Sequence, residues 1–147
     1  MITAEQAEAL MREFYRCQNE GDWDALDHCV TDDFYFYDMG YRLELKGKQA
    51  LIDSCIAARE GVFEERTFGF ESIWGVTPTG FVVRKNWSGI LRKDALGSPA
   101  GTRVTMRAAT LITVRDQLIS EYLDYACYAW PSLGLSDAAQ ELFVQQA

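Results

Sequence analysis

An α+β fold is predicted for this chain by three observations. Three helix-type patterns occupy its first 60 residues. Four long strand-type stretches, separated by turn chemistry, fill most of the remainder. No helical pattern interrupts those four stretches, which excludes the alternating plan of a parallel sheet. The expectation is a strongly curved antiparallel sheet with three N-terminal helices packed on one side, enclosing a pocket. With 147 residues, the chain reads as a single domain long enough to bury a core.

The first helix opens at Thr3, with Gln6 three positions on as a capping box. Ala7, Leu10, Met11, Phe14, Tyr15 and Cys17 recur at three- and four-residue steps and define its apolar face. Asn19-Glu20-Gly21 ends it. Asp22 caps a short second helix whose Ala25, Leu26, Cys29 and Val30 face inward. Thr31-Asp32-Asp33 is read as its break. Phe34 to Asp38 is an aromatic-rich strand with Phe34, Phe36 and Asp38 on one face. Met39-Gly40 turns the chain into a short strand from Arg42 to Leu45, and Gly47 precedes a third helix over Lys48 to Arg59.

The four long strands are read as Thr67–Val76, Phe81–Arg92, Arg103–Val114 and Leu118–Trp130. Thr77 to Gly80, Asp94 to Gly101 and Arg115-Asp116 are their turns. Strands of this length must twist, and Gly69 or Gly89 is the expected place for a bulge. In the last strand, alternation puts Leu118, Ser120, Tyr122, Asp124, Ala126 and Tyr128 on one face. Ile119, Glu121, Leu123 and Tyr125 take the other. Pro131, Gly134 and Asp137 to Val144 read as a turn and a short terminal helix or tail.

Composition limits the partners. The chain is 48% apolar and 13% aromatic, and its net charge is −8. That acidity argues against nucleic acid or an anionic membrane surface, since both require basic patches. No apolar run approaches a membrane span, and the N-terminus lacks the charged start of a secretory signal. Cys17, Cys29, Cys55 and Cys127 form no CxxC pair and read as free thiols in a reducing cytoplasm. The single histidine, His28, reads as a surface or capping residue, so no metal site is expected. No phosphate-binding loop, dinucleotide fingerprint or nucleophilic triad occurs, so any chemistry is expected to need no cofactor.

The order of landmarks resembles the nuclear transport factor 2-like superfamily, with its cystatin-like cone, and within it SnoaL-like proteins. Those landmarks are Phe14-Tyr15, Asn19 to Asp24, Asp32-Asp33-Phe34, Gly47, Gly101 to Val104 and Ile119 to Tyr125. The resemblance implies a catalytic aspartate at Asp124, as in polyketide cyclases and limonene epoxide hydrolase of the superfamily. It implies a second acid at Asp38, the position of the general base in ketosteroid isomerase. Phe14, with Tyr15 beside it, falls where that isomerase carries an oxyanion-binding tyrosine, and Thr110 stands in place of its protonated aspartate. The middle strand carries Asn86 to Gly89 where limonene epoxide hydrolase has Arg-x-Asp.

Two acids in one cavity would form an acid/base pair. The plain alternatives are an Asp124 hydrogen-bonded to strand donors and an Asp38 that closes a turn. Phe14, Tyr15, Trp87, Met106, Thr110, Tyr122 and Tyr128 are the expected ligand contacts. Arg84, Lys85 and Arg107 read as exposed edge or interface charges; a buried one could bind an anionic substrate. The expected function is binding of a hydrophobic, cyclic or oxygenated small molecule and its isomerisation, cyclisation, dehydration or hydration. The alternative is a non-catalytic ligand-binding or assembly module on the same cone. A homodimer through the exposed sheet face, with Ile119, Leu123 and Tyr125, is expected from the family.

Overall fold

The computed structural model describes residues 1–129, so the expected terminal helix over 137–144 and the end of the last strand at Trp130 lie outside the described residues. Helix α1 spans Ala4–Glu20. The capping box at its start is formed: Gln6 N donates to Thr3 Oγ1 and Thr3 N donates to Gln6 Oε1. Gly21 closes the helix in the left-handed region at φ 75°. Asp22 caps α2 (Trp23–Asp27) by accepting from Ala25 N. At its end the His28 ring nitrogen Nδ1 lies 2.7 Å from the Asp24 carbonyl. Helix α3 spans Lys48–Ala57 and runs into a π-helical turn, Ala58–Val62.

Six strands follow the order β2-β1-β6-β5-β4-β3. They are β1 (Val30–Asp38), β2 (Leu43–Lys46), β3 (Phe63–Thr77), β4 (Gly80–Leu91), β5 (Arg103–Arg115) and β6 (Leu118–Ala129). From β3 to β6 the sheet is the expected antiparallel meander. It becomes mixed at β1, which pairs parallel with β6, because the chain returns to that edge through the long crossover of α3 and the meander. Thr31 to Asp33, expected to break the second helix, already belong to β1. Asp116 and Gln117 both have positive φ and join β5 to β6 in a two-residue turn.

Alternation is strict in β5: Val104, Met106, Ala108, Thr110, Ile112 and Val114 are buried and their neighbours are exposed. Bulges lie elsewhere than at the two glycines. In β3 the register shifts at three places, between Glu64 and Thr67, Phe70 and Ser72, and Trp74 and Thr77. Gly69 and Gly89 instead permit close approach: a Cβ at Gly89 would meet the Phe63 ring at 3.1 Å. One further bulge corrects the parity of β6. Thr113 pairs with Glu121 and Val114 with Ile119, leaving Ser120 as the extra residue. Ile119 thereby turns to the concave face, where it is fully buried, and leaves the outer face on which it was expected.

The concave face carries the core. The larger cluster joins α1, α2 and α3 to Val30, Phe34, Phe81, Val83, Ile112 and Tyr122. A smaller one gathers Phe63, Trp87, Leu91, Val104, Met106 and Ala108 near the other end of the sheet. The edge strand β3 is covered by α1, and Asn19 ties the two together. Its Oδ1 accepts from Phe68 N at 2.7 Å and its Nδ2 donates to Phe68 O at 2.9 Å. The side chain thus replaces the neighbouring strand that this edge lacks. Arg59, from the π-helical turn, donates to the carbonyls of Gln18 and Asn19 at the end of α1. Cys17, Cys29 and Cys55 are buried and Cys127 is exposed; all four are free thiols. No helix among the described residues is long and apolar enough to cross a membrane.

Candidate active site

Between the two core clusters the helices stand off the sheet and leave a cavity of about 190 Å³. Phe14 and Gln18 of α1 and Leu51, Ser54 and Cys55 of α3 form one wall. Tyr41, Leu43 and Leu45 close the β1–β2 side, and Phe63, Arg66 and Phe68 close the β3 side. The sheet contributes Phe36, Asp38, Lys85, Trp87, Met106, Tyr122, Asp124 and Tyr128. The lining is apolar with a few convergent polar groups, the usual make-up of a small-molecule site.

Asp38 and Asp124 meet because they occupy one register row. Asp38 pairs with Asp124 across the parallel β1–β6 ladder, and Asp124 pairs with Thr110 across β5–β6. The two aspartates are 2% and 1% exposed. Each accepts from its own donors. Asp38 Oδ1 accepts from the backbone N–H groups of Gly40 (2.7 Å) and Tyr41 (2.9 Å), and Oδ2 accepts from the Tyr128 hydroxyl. Asp38 is therefore both a turn residue and a cavity residue.

Asp124 Oδ1 accepts from Thr110 Oγ1 at 2.5 Å, and Oδ2 accepts from Lys85 Nζ at 2.5 Å. Lys85 is only 3% exposed. That corrects the expectation of an exposed strand charge, which holds for Arg84 and Arg107. Its register neighbours across the sheet are Ala108 and then Ala126, whose small side chains leave room for the lysine to lie back toward Asp124. Its Nζ also lies 5.0 Å from the centre of the Tyr122 ring and 5.5 Å from that of Phe68, contacts that offset part of the cost of burying an ammonium. Lys85 shares parity with Phe81, Val83, Trp87 and Leu91, so the alternation of β4 already carried the signal of its burial.

Seven of the nine expected site residues line the cavity: Asp38, Asp124, Phe14, Trp87, Met106, Tyr122 and Tyr128. Tyr15 and Thr110 do not. Thr110 is fully buried beneath Asp124, to which its hydroxyl donates. Tyr15 stands behind Tyr122, with the two hydroxyl oxygens 2.9 Å apart, and its ring stacks on Phe68. Burial raises the pKa of both phenols well above the ordinary value near 10. The Tyr128 phenol is raised too, first by burial and then by its bond to Asp38.

Arg66 is a cavity residue that no sequence pattern announced. Alternation from Phe63 would turn Glu65 and Thr67 inward. The first β3 bulge, with Glu65 at φ 48°, shifts the phase so that Arg66 and Phe68 line the cavity. Nη1 of Arg66 donates to the Cys55 carbonyl at 3.3 Å, and the guanidinium carbon lies 4.6 Å from the centre of the Phe68 ring. No group of three or more His, Cys, Asp or Glu side chains is placed to hold a metal among the described residues.

Fold and cavity together define a pocket protein of the cone-shaped α+β class, with paired carboxylates on the pocket floor. Residues 11–122 match the SnoaL-like domain profile, and the chain belongs to the SnoaL-like family of the nuclear transport factor 2-like fold. Among solved structures it is similar to TsrD from Streptomyces laurentii, with 21% identity, 93% of this chain and 96% of that chain covered, and a TM-score of 0.71. It is also similar to a SnoaL-like protein from Shewanella putrefaciens provisionally assigned as a polyketide cyclase: 21% identity, 90% and 94% covered, TM-score 0.71. A third is an epoxide hydrolase of M. tuberculosis resembling limonene epoxide hydrolase, at 16% identity, 84% of each chain and TM-score 0.68. No protein with a curated description matches the chain in sequence. At these identities the likeness is one of fold.

Proposed function

We propose that the protein is a cofactor-free enzyme that transfers a proton on a hydrophobic, cyclic or oxygenated small molecule held in the cone. The observation that carries this reading is the placement of Asp124 and Asp38 in one register row on the floor of one apolar cavity. Asp124 is the principal acid or base and Asp38 the second. The Lys85 ammonium reaches the same cavity and is poised to hold an oxygen that gains negative charge as a carbon-bound proton leaves. Phe14, Trp87, Met106 and Tyr122 hold the ring, and Tyr128 orients Asp38. Tyr15 and Thr110 act one layer back, on Tyr122 and Asp124. Isomerisation, cyclisation, dehydration and hydration all begin or end with such a transfer.

The test is α-proton exchange of a cyclic ketone probe, 2-tetralone, in deuterated water followed by NMR. The wild-type protein accelerates exchange, and Asp124→Asn loses about 10²–10⁴-fold of that acceleration while still binding the probe. Equal exchange by both proteins removes Asp124 from proton transfer.

A second reading, binding without turnover, is favoured by one observation. All four carboxylate oxygens of Asp38 and Asp124 already accept hydrogen bonds from the protein. Under it, probe binding persists and Asp124→Asn changes no exchange rate.

The protein acts in the cytoplasm as a homodimer through the outer sheet face. The support is a register row across that face, Trp74, Val82, Leu111, Leu123 and Tyr37, flanked by Tyr125. Trp74 is 62% and Tyr125 50% exposed, an apolar surface that association would cover. Light scattering on the purified protein distinguishes dimer from monomer, and Leu111→Arg returns the dimer to monomers.

A further inference from the structure

We infer that the ligand of this cavity carries a carboxylate, received by Arg66, which makes Arg66 the residue that selects an acidic ring compound over its neutral analogue. The inference rests on the reading of the cavity as a small-molecule site and adds the substrate class.

Four charged side chains line the cavity: Asp38, Asp124, Lys85 and Arg66. Three are accounted for. Lys85 and Asp124 neutralise each other at 2.5 Å. Asp38 is held by two backbone N–H groups and the Tyr128 hydroxyl. Arg66 forms no ion pair with an acidic side chain among the described residues, and its polar partners are those of Cys55, the carbonyl, which accepts from Nη1, and the thiol. Its Nε is buried and has no acceptor among the described residues. Such a donor is costly inside a protein and calls for an explanation. Burial opposes the charge of this guanidinium and lowers its pKa, yet an arginine in a protein stays protonated. An anionic oxygen entering the cavity compensates both deficits at once.

The backbone supplies a second, independent observation. Arg66 faces the cavity because Glu65, a residue with a β-carbon, occupies the left-handed region at φ 48° inside a bulge. Left-handed non-glycine residues and bulges gather where a side chain must be re-aimed for function. The π-helical turn at Ala58–Val62 abuts the same wall through Ala58, another local irregularity common at sites. The surroundings determine the rest of the ligand. Phe63, Phe68, Trp87 and Met106 are the apolar and aromatic neighbours that an uncharged ring would meet. A guanidinium matches a carboxylate through two parallel N–H donors, and Arg66 commits Nη1 to the Cys55 carbonyl while Nε has no acceptor among the described residues.

The competing explanation is structural: Arg66 pins the Cys55 carbonyl and stacks on Phe68. Calorimetry with two matched pairs separates the two, using benzoate against benzamide and 2-naphthoate against 2-naphthamide. The wild-type protein is expected to bind the acid of a pair at least about tenfold more tightly than the amide. Arg66→Met removes that preference and leaves amide binding within about twofold, whereas Arg66→Lys keeps part of it. A purely structural arginine would change the melting temperature of both variants without changing the acid-to-amide ratio.

Equal affinity for acid and amide in the wild-type protein overturns the inference and leaves the pocket reading intact. So does an Arg66→Met protein that keeps the preference. If Arg66→Met does not fold, the wild-type ratio and the Arg66→Lys ratio still decide. Failure of all four probes to bind overturns the pocket reading itself, and this inference with it.

Discussion

Asp38 and Asp124 stand opposite each other in the parallel ladder between β1 and β6, yet they share no donor. A tight turn and a tyrosine serve the first, and a threonine and a buried lysine serve the second. The two acids are thus joined by geometry and separated in their supporting chemistry. Variants at one set of donors should therefore leave the other acid's surroundings in place.

Removing Lys85 leaves Asp124 buried without its counter-charge. Lys85→Met is expected to destabilise the fold by about 3–5 kcal/mol, measured by urea unfolding. The double variant Lys85→Met, Asp124→Leu should recover much of that loss, since it removes both charges. A double variant as unstable as the sum of the single ones would mean that the pair does not act as a unit.

Gly40 has no side chain because the Tyr128 ring occupies the space: a Cβ there would lie 2.7 Å from that ring. Gly40→Ala should displace Tyr128 and break its bond to Asp38. The expected loss is about 1–3 kcal/mol, read from thermal unfolding alongside a weakened near-UV tyrosine signal. Tyr128→Phe, which spares the packing, should show the hydrogen-bond part of that loss alone.

Asn19 fastens the edge strand to α1 with two hydrogen bonds to Phe68. Asn19→Ala should cost about 1–3 kcal/mol and speed amide exchange in β3 before β5. Asn19→Asp keeps the acceptor and loses the donor, so it should fall between the two. Uniform exchange across the sheet would show that the bridge has no local effect.

Tyr15, Tyr122 and Tyr128 predict alkaline behaviour. Their folded pKa values are raised, chiefly by burial, above the value of about 10 that an unfolded chain shows. The folded state therefore binds these protons more tightly than the unfolded one. Their contribution to stability is whole below pH ~10 and falls as the pH rises beyond it. Absorbance at 295 nm should show the three phenols ionising together with loss of structure. Independent ionisation near the ordinary value, with the fold intact, would contradict their burial.

Local periodicity was sufficient for most of the architecture. The three-and-four spacing of Ala7, Met11 and Phe14 specifies a helix face, and the alternation of Val104 to Val114 specifies a strand face, because both repeats depend only on neighbouring residues. Alternation also put Asp124 on the face of Tyr122 and Tyr128, and it held the evidence for a buried Lys85 beside Val83 and Trp87. Partners across the sheet are another matter. That Asp38 lies against Asp124 depends on β1 joining β6, strands separated by the whole meander, and no local pattern encodes that pairing. The inward turn of Arg66 and of Ile119 depends on single extra residues, Glu65 and Ser120, that reverse the phase of a strand. A bulge exchanges local ladder bonds for a better fit to the surrounding packing, so its position is a property of the assembled sheet. Local patterns thus specified helices on an antiparallel sheet with an acid on its last strand, and the family resemblance implied the cone. The folded sheet supplied that acid's lysine, its neighbouring carboxylate and the arginine across the cavity.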